Sequence, residues 1–303
     1  MKYLVTGGTG FIGSNFIKSK NLDSNKFIVL TRDKISAEKK FGNKILFIKS
    51  LENLADFEEI DVVINLAGEP IADKKWSSKQ KEKLITSRIE TTKKLYEFIK
   101  NLKQKPKNFI SASAIGYYGR NEAYTNISED FPKGDEFTSE LCNAWEYEAS
   151  KISSLGINAA IIRLGIVLGK NQGALKKMLP AFKFNLGGKL GDGKQIMSWI
   201  HIQDVISAID FIIEKNLSGV FNLTSPNPVS NSEFTEKLAK SLHRFALLNM
   251  PSFMVKTIFG EMGEALLLNG QKVLPTNLLK NGFNFRYKKL EDALENIVQK
   301  TNL

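Results

Sequence analysis

Cysteine and histidine are scarce in this chain of 303 residues, which has one cysteine, Cys142, and two histidines, His201 and His243. A single cysteine excludes an intrachain disulfide and a cysteine-rich zinc site. Two histidines argue against a dedicated transition-metal site. We therefore expect a protein without a metal.

Long apolar runs are also missing. The longest run, around 157–168, carries Arg163 in its middle and is shorter than the roughly 18 residues of a membrane-spanning helix. The chain begins on strand-like Lys2-Tyr3-Leu4-Val5, which is unlike a basic segment followed by an apolar signal core. We expect a soluble, cytoplasmic protein without a membrane partner.

Acidic residues are fewer than basic ones. The chain has 32 Asp and Glu residues and 43 Lys and Arg residues, which gives a formal net charge of +11. Such an excess suggests a polyanionic partner, namely nucleic acid, an anionic membrane or a phosphorylated ligand. The alternative is a solvated basic surface. No nucleic-acid-binding motif or arginine-rich segment is present, so we expect no nucleic-acid partner.

Short apolar runs alternate with helical segments in the first half of the chain. The runs are apolar throughout and partly β-branched, which is typical of strands buried on both faces of a parallel sheet. The alternation predicts an α/β fold, a Rossmann-like doubly wound parallel sheet with a smaller C-terminal α+β substrate domain. The predicted strands are 3–6, 27–31, 45–48, 62–66, 108–111 and 159–163, and the predicted helices are 12–19, about 78–102 and about 138–154.

The length is about twice that of a single domain, which favours two domains. We predict a cofactor-binding domain over 1–165 and a substrate-binding domain over 166–303, with the segments around 199–223 able to pack back onto the first. The second half contains a glycine-rich loop over 187–193. After the break at Ser225-Pro226-Asn227-Pro228, Asn231 is predicted to cap a helix over about 232–242.

A glycine-rich turn follows the first predicted strand and begins the first helix. In Thr6-Gly7-Gly8-Thr9-Gly10-Phe11-Ile12-Gly13, the first glycine of the motif permits a tight turn, the second lets the backbone approach a pyrophosphate, and the third lets the helix pack closely. The N–H groups and positive dipole end of the helix then face the phosphates. The alternative is a structural turn without a ligand. The predicted cofactor residues here are Gly7, Thr9, Gly10, Phe11, Ile12 and Gly13.

The end of the second strand indicates which nicotinamide cofactor is used. An acidic residue there binds the ribose hydroxyls of NAD, whereas an arginine accommodates the 2′-phosphate of NADP. Here neutral Thr31 is followed by Arg32, whose planar guanidinium suits a phosphate. We predict NADP(H), held in part by Thr31 and Arg32. Asp33 leaves NAD as an alternative, and a surface pair between Arg32 and Asp33 is another.

Longer motifs occur in order along nearly the whole chain. They are Asn65-Leu66-Ala67-Gly68-Glu69-Pro70-Ile71, Ser87-Arg88-Ile89, Ser113-Ala114-Ile115-Gly116-Tyr117-Tyr118-Gly119, Arg163-Leu164-Gly165-Ile166-Val167-Leu168-Gly169, Trp199-Ile200-His201-Ile202-Gln203-Asp204 and Gly270-Gln271-Lys272-Val273-Leu274-Pro275. These motifs resemble those of the extended, atypical short-chain dehydrogenases/reductases of the NAD(P)-dependent epimerase/dehydratase family, and within it an epimerase-like oxidoreductase subgroup with a C-terminal domain of unknown function. The resemblance implies a Rossmann core, an NADP(H) site and a substrate cleft between the core and the C-terminal part, but no particular substrate.

Four further cofactor residues are predicted next to these motifs. Leu66, Ala67 and Gly68 follow a strand and are expected to line the cofactor with backbone and small side chains. Arg88 lies on the long helix, where the superfamily often has an asparagine. It can reach the cofactor, or it can form a surface pair with Glu82 or Glu90.

The catalytic residues are harder to assign. The resemblance implies a Tyr-x-x-x-Lys pair on the helix before the sixth strand, in which the lysine lowers the pKa of the tyrosine. Tyr147-Glu148-Ala149-Ser150-Lys151 fits that pattern by letter, but it lies about ten residues too late on the helix, or roughly 15 Å along its axis. The expected positions hold Thr138 and Cys142. We interpret Tyr147 and Lys151 as solvated or packing residues, with a catalytic pair as the alternative.

Two other residues are the predicted catalytic candidates. Ser113 matches the superfamily serine that holds the substrate oxygen; alternatively it is a strand-end hydroxyl that bonds to backbone. Tyr117 can supply a phenolic proton, or it can pack against the sheet edge.

The sequence therefore predicts an NADP(H)-dependent, epimerase-like oxidoreductase that acts on a small-molecule substrate as a monomer or a homodimer. Its substrate would be covered by loop 187–193 and the C-terminal helices. The alternative is an NADPH-binding regulatory protein that has lost its chemistry, to which the displaced Tyr-x-x-x-Lys pattern gives support; some relatives of the subgroup are linked by name to cell or plastid division.

Overall fold

The computed structural model describes residues 1–54, 59–121 and 125–299, with Asn53 and Gln299 described by their backbone alone. The strands, in chain order, are β1 (Lys2–Thr6), β2 (Lys26–Leu30), β3 (Leu46–Ile48), β4 (Val62–Asn65), β5 (Asn108–Ala114), β6 (Asn126–Ile127), β7 (Asn158–Leu164), β8 (Ile166–Gly169), β9 (Ile196–Met197), β10 (Trp199–His201), β11 (Gly219–Leu223), β12 (Val229–Ser230) and β13 (Lys272–Val273). The helices are α1 (Phe11–Ser19), α2 (Lys34–Phe41), α3 (Ser78–Asn101), α4 (Phe137–Ser150), α5 (Gly173–Lys183), α6 (Ile202–Glu214), α7 (Asn231–Ser241), α8 (Ser252–Gly263), α9 (Thr276–Lys280) and α10 (Leu290–Gln299).

One parallel sheet forms the centre of the fold. In the described residues it contains seven strands in the order β11-β7-β5-β4-β1-β2-β3, and each neighbouring pair is parallel. The strand order reverses between β1 and β4, and open α/β sheets bind ligands beyond the carboxyl ends of the strands at such a point. The predicted Rossmann-like α/β class is confirmed, and the six predicted strands correspond to β1–β5 and β7.

Alternating residues of each strand bury their side chains on opposite faces of the sheet, as the strand period of two requires. On one face, Tyr3 and Val5 pack with Phe16 of α1 and Ile209 of α6. On the other, Leu4 packs in a cluster that includes residues of α3 and α4. Helices therefore cover both faces, which explains why the strands are apolar throughout.

The C-terminal part contains a third apolar cluster among α5, α7 and α10, which includes Leu175, Phe234 and Leu294. The chain also returns to the main sheet after residue 165, because β11 pairs with β7. The division at residue 165 stays a prediction. None of the described helices has both the length and the apolar character needed to cross a bilayer.

The predicted cap of α7 is wrong by one residue. Ser230, not Asn231, caps the helix, because its Oγ accepts a hydrogen bond from the Glu233 N–H at 3.1 Å. The Asn231 side chain instead accepts a bond from the Leu190 N–H at 2.8 Å, which ties loop 187–193 to the start of α7. Both residue types are good caps, and the contact with the distant loop decides between them.

Candidate functional site

The glycine-rich turn lies at the carboxyl end of β1, at the point where the strand order reverses. Gly7 has φ +67°, and a Cβ there would come within 2.5 Å of the Leu66 carbonyl oxygen. A Cβ on Gly13 would lie 2.5 Å from the Gly7 carbonyl oxygen, so a side chain there would push α1 away from the turn. The Gly10 N–H donates to that same oxygen at 3.0 Å. The turn is thus a tight backbone loop that requires glycine at 7 and 13.

The surroundings of the turn leave its outer side accessible. No side chain caps α1, whose N-cap is Gly10, and a Cβ on Gly10 would meet the Gly7 carbonyl oxygen alone, at 3.2 Å. Lys40 of α2 donates from Nζ to the Thr9 carbonyl oxygen at 2.9 Å, and burial lowers its pKa, as does the neighbouring Lys18. Backbone N–H groups, the positive helix end and an ammonium group therefore converge here, as an anion site requires.

Phe11 and Ile12 anchor the first turn of α1. The Phe11 ring packs so closely on Gly169 and Gly173 that a Cβ on either glycine would lie 2.6 Å or 2.9 Å from it. Ile12 is half-buried against the core cluster on the α1 face of the sheet. These two contacts fix the helix end relative to β8 and α5.

A hydrogen-bond network joins the ends of β1 and β4. The Ala67 N–H donates to Thr6 Oγ1 at 3.2 Å, and the Leu66 N–H donates to the Thr6 carbonyl oxygen at 3.1 Å. The buried Thr6 hydroxyl donates in turn to Asn65 Oδ1 at 2.7 Å. Leu66 and Ala67 are thereby held beside the glycine-rich turn.

Arg88 approaches the same edge from α3. Its guanidinium donates to the carbonyl oxygens of Leu84 at 2.9 Å and Glu69 at 3.0 Å, and a Cβ on Gly68 would lie 3.0 Å from Arg88 Cζ. Burial lowers the pKa of Arg88, although Cys142 and Glu69 oppose that shift. The surface pairs considered from sequence are therefore wrong, since Arg88 faces inward against Gly68.

At the end of β2, Asp33 caps α2. Its carboxylate accepts hydrogen bonds from Ser36 Oγ at 2.6 Å and the Ser36 N–H at 3.1 Å, and these bonds lower the pKa of Asp33. Thr31 Oγ1 accepts a bond from the Asp33 N–H at 3.3 Å. Arg32 is exposed, and in the described part of the chain it makes no ion pair with Asp33 or another carboxylate.

Ser113 belongs to a buried polar network. Its Oγ donates to Glu146 Oε1 at 2.6 Å, instead of bonding to backbone. Glu146 forms a bidentate ion pair with Arg163, with Nε to Oε1 at 2.9 Å and Nη2 to Oε2 at 2.8 Å. Burial by itself lowers the pKa of Arg163, but Glu146 outweighs that effect and holds the pKa above its ordinary value. Arg163 therefore carries its positive charge at neutral pH.

The same arginine contacts two tyrosines. Arg163 Cζ lies 3.5 Å from the centre of the Tyr117 ring, and Nη1 donates to the Tyr118 hydroxyl at 2.9 Å. The Tyr118 hydroxyl donates to Asn222 Oδ1 at 2.6 Å, and burial raises its pKa to about 12. Tyr118 thus stays protonated and joins the network to β11, whereas Tyr117 is half-buried with its ring stacked under a permanent cation.

The α4 positions where the superfamily pair is expected hold buried Thr138 and Cys142. Tyr147, by contrast, is 63% exposed. Lys151 binds the Glu148 carboxylate at 2.8 Å and lies 4.5 Å from the centre of the Tyr147 ring. Tyr147 and Lys151 therefore lie on the solvent side of α4, in keeping with a solvated or packing role.

The burial of Cys142 leads to a prediction. Burial, with a smaller effect from Glu146, raises the pKa of its thiol to about 11, so almost no thiolate forms at pH 8. We expect N-ethylmaleimide to modify the folded protein at least about 100-fold more slowly than the urea-unfolded chain. Equal rates in the two states would show that this face of α4 is open to solvent.

Three residues of this region were not predicted from the sequence as site residues: Arg163, Glu146 and Lys40. Arg163 interrupts an apolar strand, and a charge in such a strand indicates a buried partner. The sequence does not identify that partner, because Glu146 lies on a different element. Lys40 could not be identified from its position on α2, since neighbouring lysines share the same pattern.

His201 has a structural position. Its Nδ1 accepts a hydrogen bond from the Gln203 N–H at 3.1 Å at the start of α6, and its ring lies 3.9 Å from that of Tyr287. Within the ranges that the structure describes, no three His, Cys, Asp or Glu residues are grouped so as to hold a metal ion.

Comparisons with known proteins agree with this geometry. Residues 3–224 match the NAD dependent epimerase/dehydratase family, and residues 250–297 match a domain of unknown function, DUF1731. The chain is 39% identical to the chloroplastic epimerase family protein SDR39U1 homolog of Arabidopsis thaliana, covering 99% of this chain and 87% of that protein. An epimerase family protein of Staphylococcus aureus is also 39% identical, with 99% of each chain covered.

Among solved structures, human epimerase family protein SDR39U1 (isoform 2), crystallised with NADPH, superposes with a TM-score of 0.88 at 32% identity, and 99% of each chain is covered. The matched family extends over the whole Rossmann-like sheet, including the glycine-rich turn and the Ser113 network. The chain therefore belongs to the NAD-dependent epimerase/dehydratase family and carries the C-terminal DUF1731 domain.

Proposed function

We propose that this protein is an NADP(H)-dependent, epimerase-like oxidoreductase that acts on a small-molecule substrate in the cytoplasm, as a monomer or a homodimer. The observation that carries the proposal is the glycine-rich turn. Gly7 has a left-handed backbone conformation, no side chain caps α1, and the turn lies where the strand order of the sheet reverses. The NADPH bound by the human relative gives further support.

The residues around the turn fit a dinucleotide. The N–H groups of 11–13 would hold the pyrophosphate, because the Gly10 N–H already donates to the Gly7 carbonyl oxygen, and Thr9, Phe11 and Ile12 would fix the turn around it. Leu66, Ala67 and Gly68 would line the nucleotide, with Arg88 held behind Gly68. When bound, the cofactor supplies or accepts a hydride at its nicotinamide ring.

We infer NADP(H) rather than NAD from the end of β2. The Asp33 carboxylate is already engaged by Ser36, whereas NAD binding would need it at the ribose hydroxyls. Arg32 is exposed and follows Thr31 just beyond the end of β2. There its guanidinium would bind the negatively charged 2′-phosphate of NADP(H).

Ser113 and Tyr117 are the proposed catalytic residues. Since the Ser113 hydroxyl donates to Glu146, its oxygen can accept a hydrogen bond from a substrate hydroxyl, and its own proton can pass to the carboxylate. The Arg163 guanidinium stacks on the Tyr117 ring and would hold it in place, so that the Tyr117 hydroxyl can exchange a proton with the substrate. Loop 187–193 and the C-terminal helices would cover the substrate.

One observation favours a second candidate, an NADPH-binding regulatory protein. The buried Thr138 and Cys142 occupy the positions of the missing superfamily pair, and neither can replace a lysine-activated phenol. Such a protein would bind NADPH without turnover on any substrate.

Incubation with NADP(H) and panels of nucleotide sugars and small carbonyl compounds tests the proposal, with turnover followed both by NADPH absorbance and by analysis of the products, because an epimerase regenerates its cofactor in each cycle. We expect Ser113→Ala and Tyr117→Phe each to lower kcat at least about 100-fold, because each removes a group that exchanges a proton. Tyr147→Phe is the matched control and should keep full activity. Full activity of Ser113→Ala, or loss in Tyr147→Phe, would contradict the assignment, and NADPH binding without turnover on any panel would favour the regulatory protein.

A further inference from the structure

Six large exposed apolar side chains lie on two neighbouring loops and at the start of α8 in the C-terminal part of the molecule. We call them the apolar loop patch: Phe184, Leu186, Phe245, Leu247, Leu248 and Phe253, with exposed fractions between 56% and 76%. Apolar side chains scattered singly over a surface need no explanation, but a contiguous group marks an interaction site.

The two loops that carry five of the six side chains are joined by hydrogen bonds, and Phe253 lies at the start of α8. The Phe245 N–H donates to Asn185 Oδ1 at 3.0 Å, and the Leu248 N–H donates to the Gly187 carbonyl oxygen at 3.2 Å. A Cβ on Gly188 would lie 2.1 Å from the Leu248 carbonyl oxygen, so the close approach of the loops depends on glycine. The apolar side chains are therefore presented on a fixed surface.

A basic cavity adjoins the patch. It measures about 420 Å³ and lies between α7 and the loop that follows it, with Phe245 shared between cavity and patch. Lys189, Lys240 and Arg244 line it, and none of them pairs with a carboxylate within the described ranges. Arg244 is oriented by a bond from Nε to the Lys183 carbonyl oxygen at 3.1 Å. Glu236 is the acidic residue in the lining, so the cavity carries a net positive charge.

We propose that the apolar loop patch and the basic cavity together form a docking site for an anionic lipid surface. The apolar side chains would enter the interfacial layer while the cavity takes a lipid phosphate, which is the pairing of apolar and basic groups that peripheral membrane proteins use. This proposal departs from the sequence-based expectation of no membrane partner, and it would give part of the +11 charge a role.

A second copy of the chain fits this surface less well. A two-fold interface would place the patch against itself and bring Lys240 and Arg244 near the same residues of the other copy, where like charges repel. A soluble phosphate compound would use the cavity but would leave the exposed phenylalanine and leucine side chains without a function.

Co-sedimentation of the full chain with vesicles tests the proposal. We expect binding to vesicles with about a third phosphatidylglycerol to exceed binding to pure phosphatidylcholine at least about tenfold. Phe245→Ser with Leu247→Ser, and separately Lys240→Gln with Arg244→Gln, should each reduce vesicle binding at least about tenfold. The control is Ile35→Ser with Lys39→Gln on α2, where Ile35 is 67% exposed; it should bind like the wild type.

Three results would overturn the proposal. Equal binding of the control and the patch variants would show that the patch is not used. Thermal stabilisation by inorganic phosphate without vesicle binding would assign the cavity to soluble anions. A dimer in sedimentation that the patch substitutions dissociate, again without vesicle binding, would assign the surface to a second copy.

Discussion

Replacing Gly10 with valine is expected to abolish cofactor binding while leaving the fold intact. Gly10 has φ −74°, which any residue adopts, and an added Cβ meets the Gly7 carbonyl oxygen alone, at 3.2 Å. The larger side chain would occupy the space in front of the α1 N-terminus, where the pyrophosphate is proposed to bind. We expect the Kd for NADPH to rise at least about 100-fold, or roughly 2.8 kcal/mol.

Fluorescence titration with NADPH measures the binding loss, and thermal unfolding of the protein without cofactor measures the fold. Gly42→Ala is the control, since it is expected to affect stability and not cofactor binding. Gly42 follows α2 with φ +76°, and no atom lies near enough to contact an added Cβ. That variant should lose stability through backbone strain and keep its NADPH affinity. Normal NADPH binding by Gly10→Val would place the pyrophosphate elsewhere.

Replacing Arg163 with methionine is expected to destabilise the protein by about 3–5 kcal/mol, because it leaves the buried carboxylate of Glu146 without its partner. The two side chains are 4% and 10% exposed, so water can replace the lost ion pair only in small part. The Tyr118 hydroxyl loses a donor in the same change. Urea unfolding of the protein without cofactor measures the loss.

Two further variants test whether the loss of stability comes from leaving a buried charge without its partner. Lys93→Met breaks an exposed pair with Glu90 on α3 and should leave the unfolding midpoint nearly unchanged. The double variant Arg163→Met with Glu146→Leu removes both charges together and should recover more than half of the lost stability. A double variant as unstable as Arg163→Met alone would show that packing, not the unpaired charge, causes the loss.

The sequence predicts the fold best where one local pattern determines the structure. The apolar runs have to be buried on both faces, so they predict β1–β5 and β7, and the spacing of Gly7, Gly10 and Gly13 predicts the turn that the structure contains. Local sequence patterns do not predict the structure correctly where a contact with a distant element determines it. Asn231 and Ser230 are equally good caps by type, and the contact of Asn231 with Leu190 leaves the capping role to Ser230.

The candidate site shows the same limit. Ser113 was identifiable from its place at a strand end, but its partner Glu146 lies on α4 and becomes visible only when β5, β7 and α4 are packed together. Arg88 faces inward for a similar reason, because the Glu69 carbonyl oxygen offers it a bond that no spacing along α3 reveals.

Titration of the protein with NADPH and with NADH shows whether its dinucleotide site is specific for NADP(H). We expect NADPH to bind at least about tenfold more tightly than NADH, and Arg32→Ala to remove most of this difference by weakening the binding of NADPH alone. Lys34→Ala, two residues further along and paired with Glu38 on the surface, should change neither affinity. Equal affinities in the wild type, or a preference that Arg32→Ala leaves unchanged, would show that Arg32 does not select NADP(H).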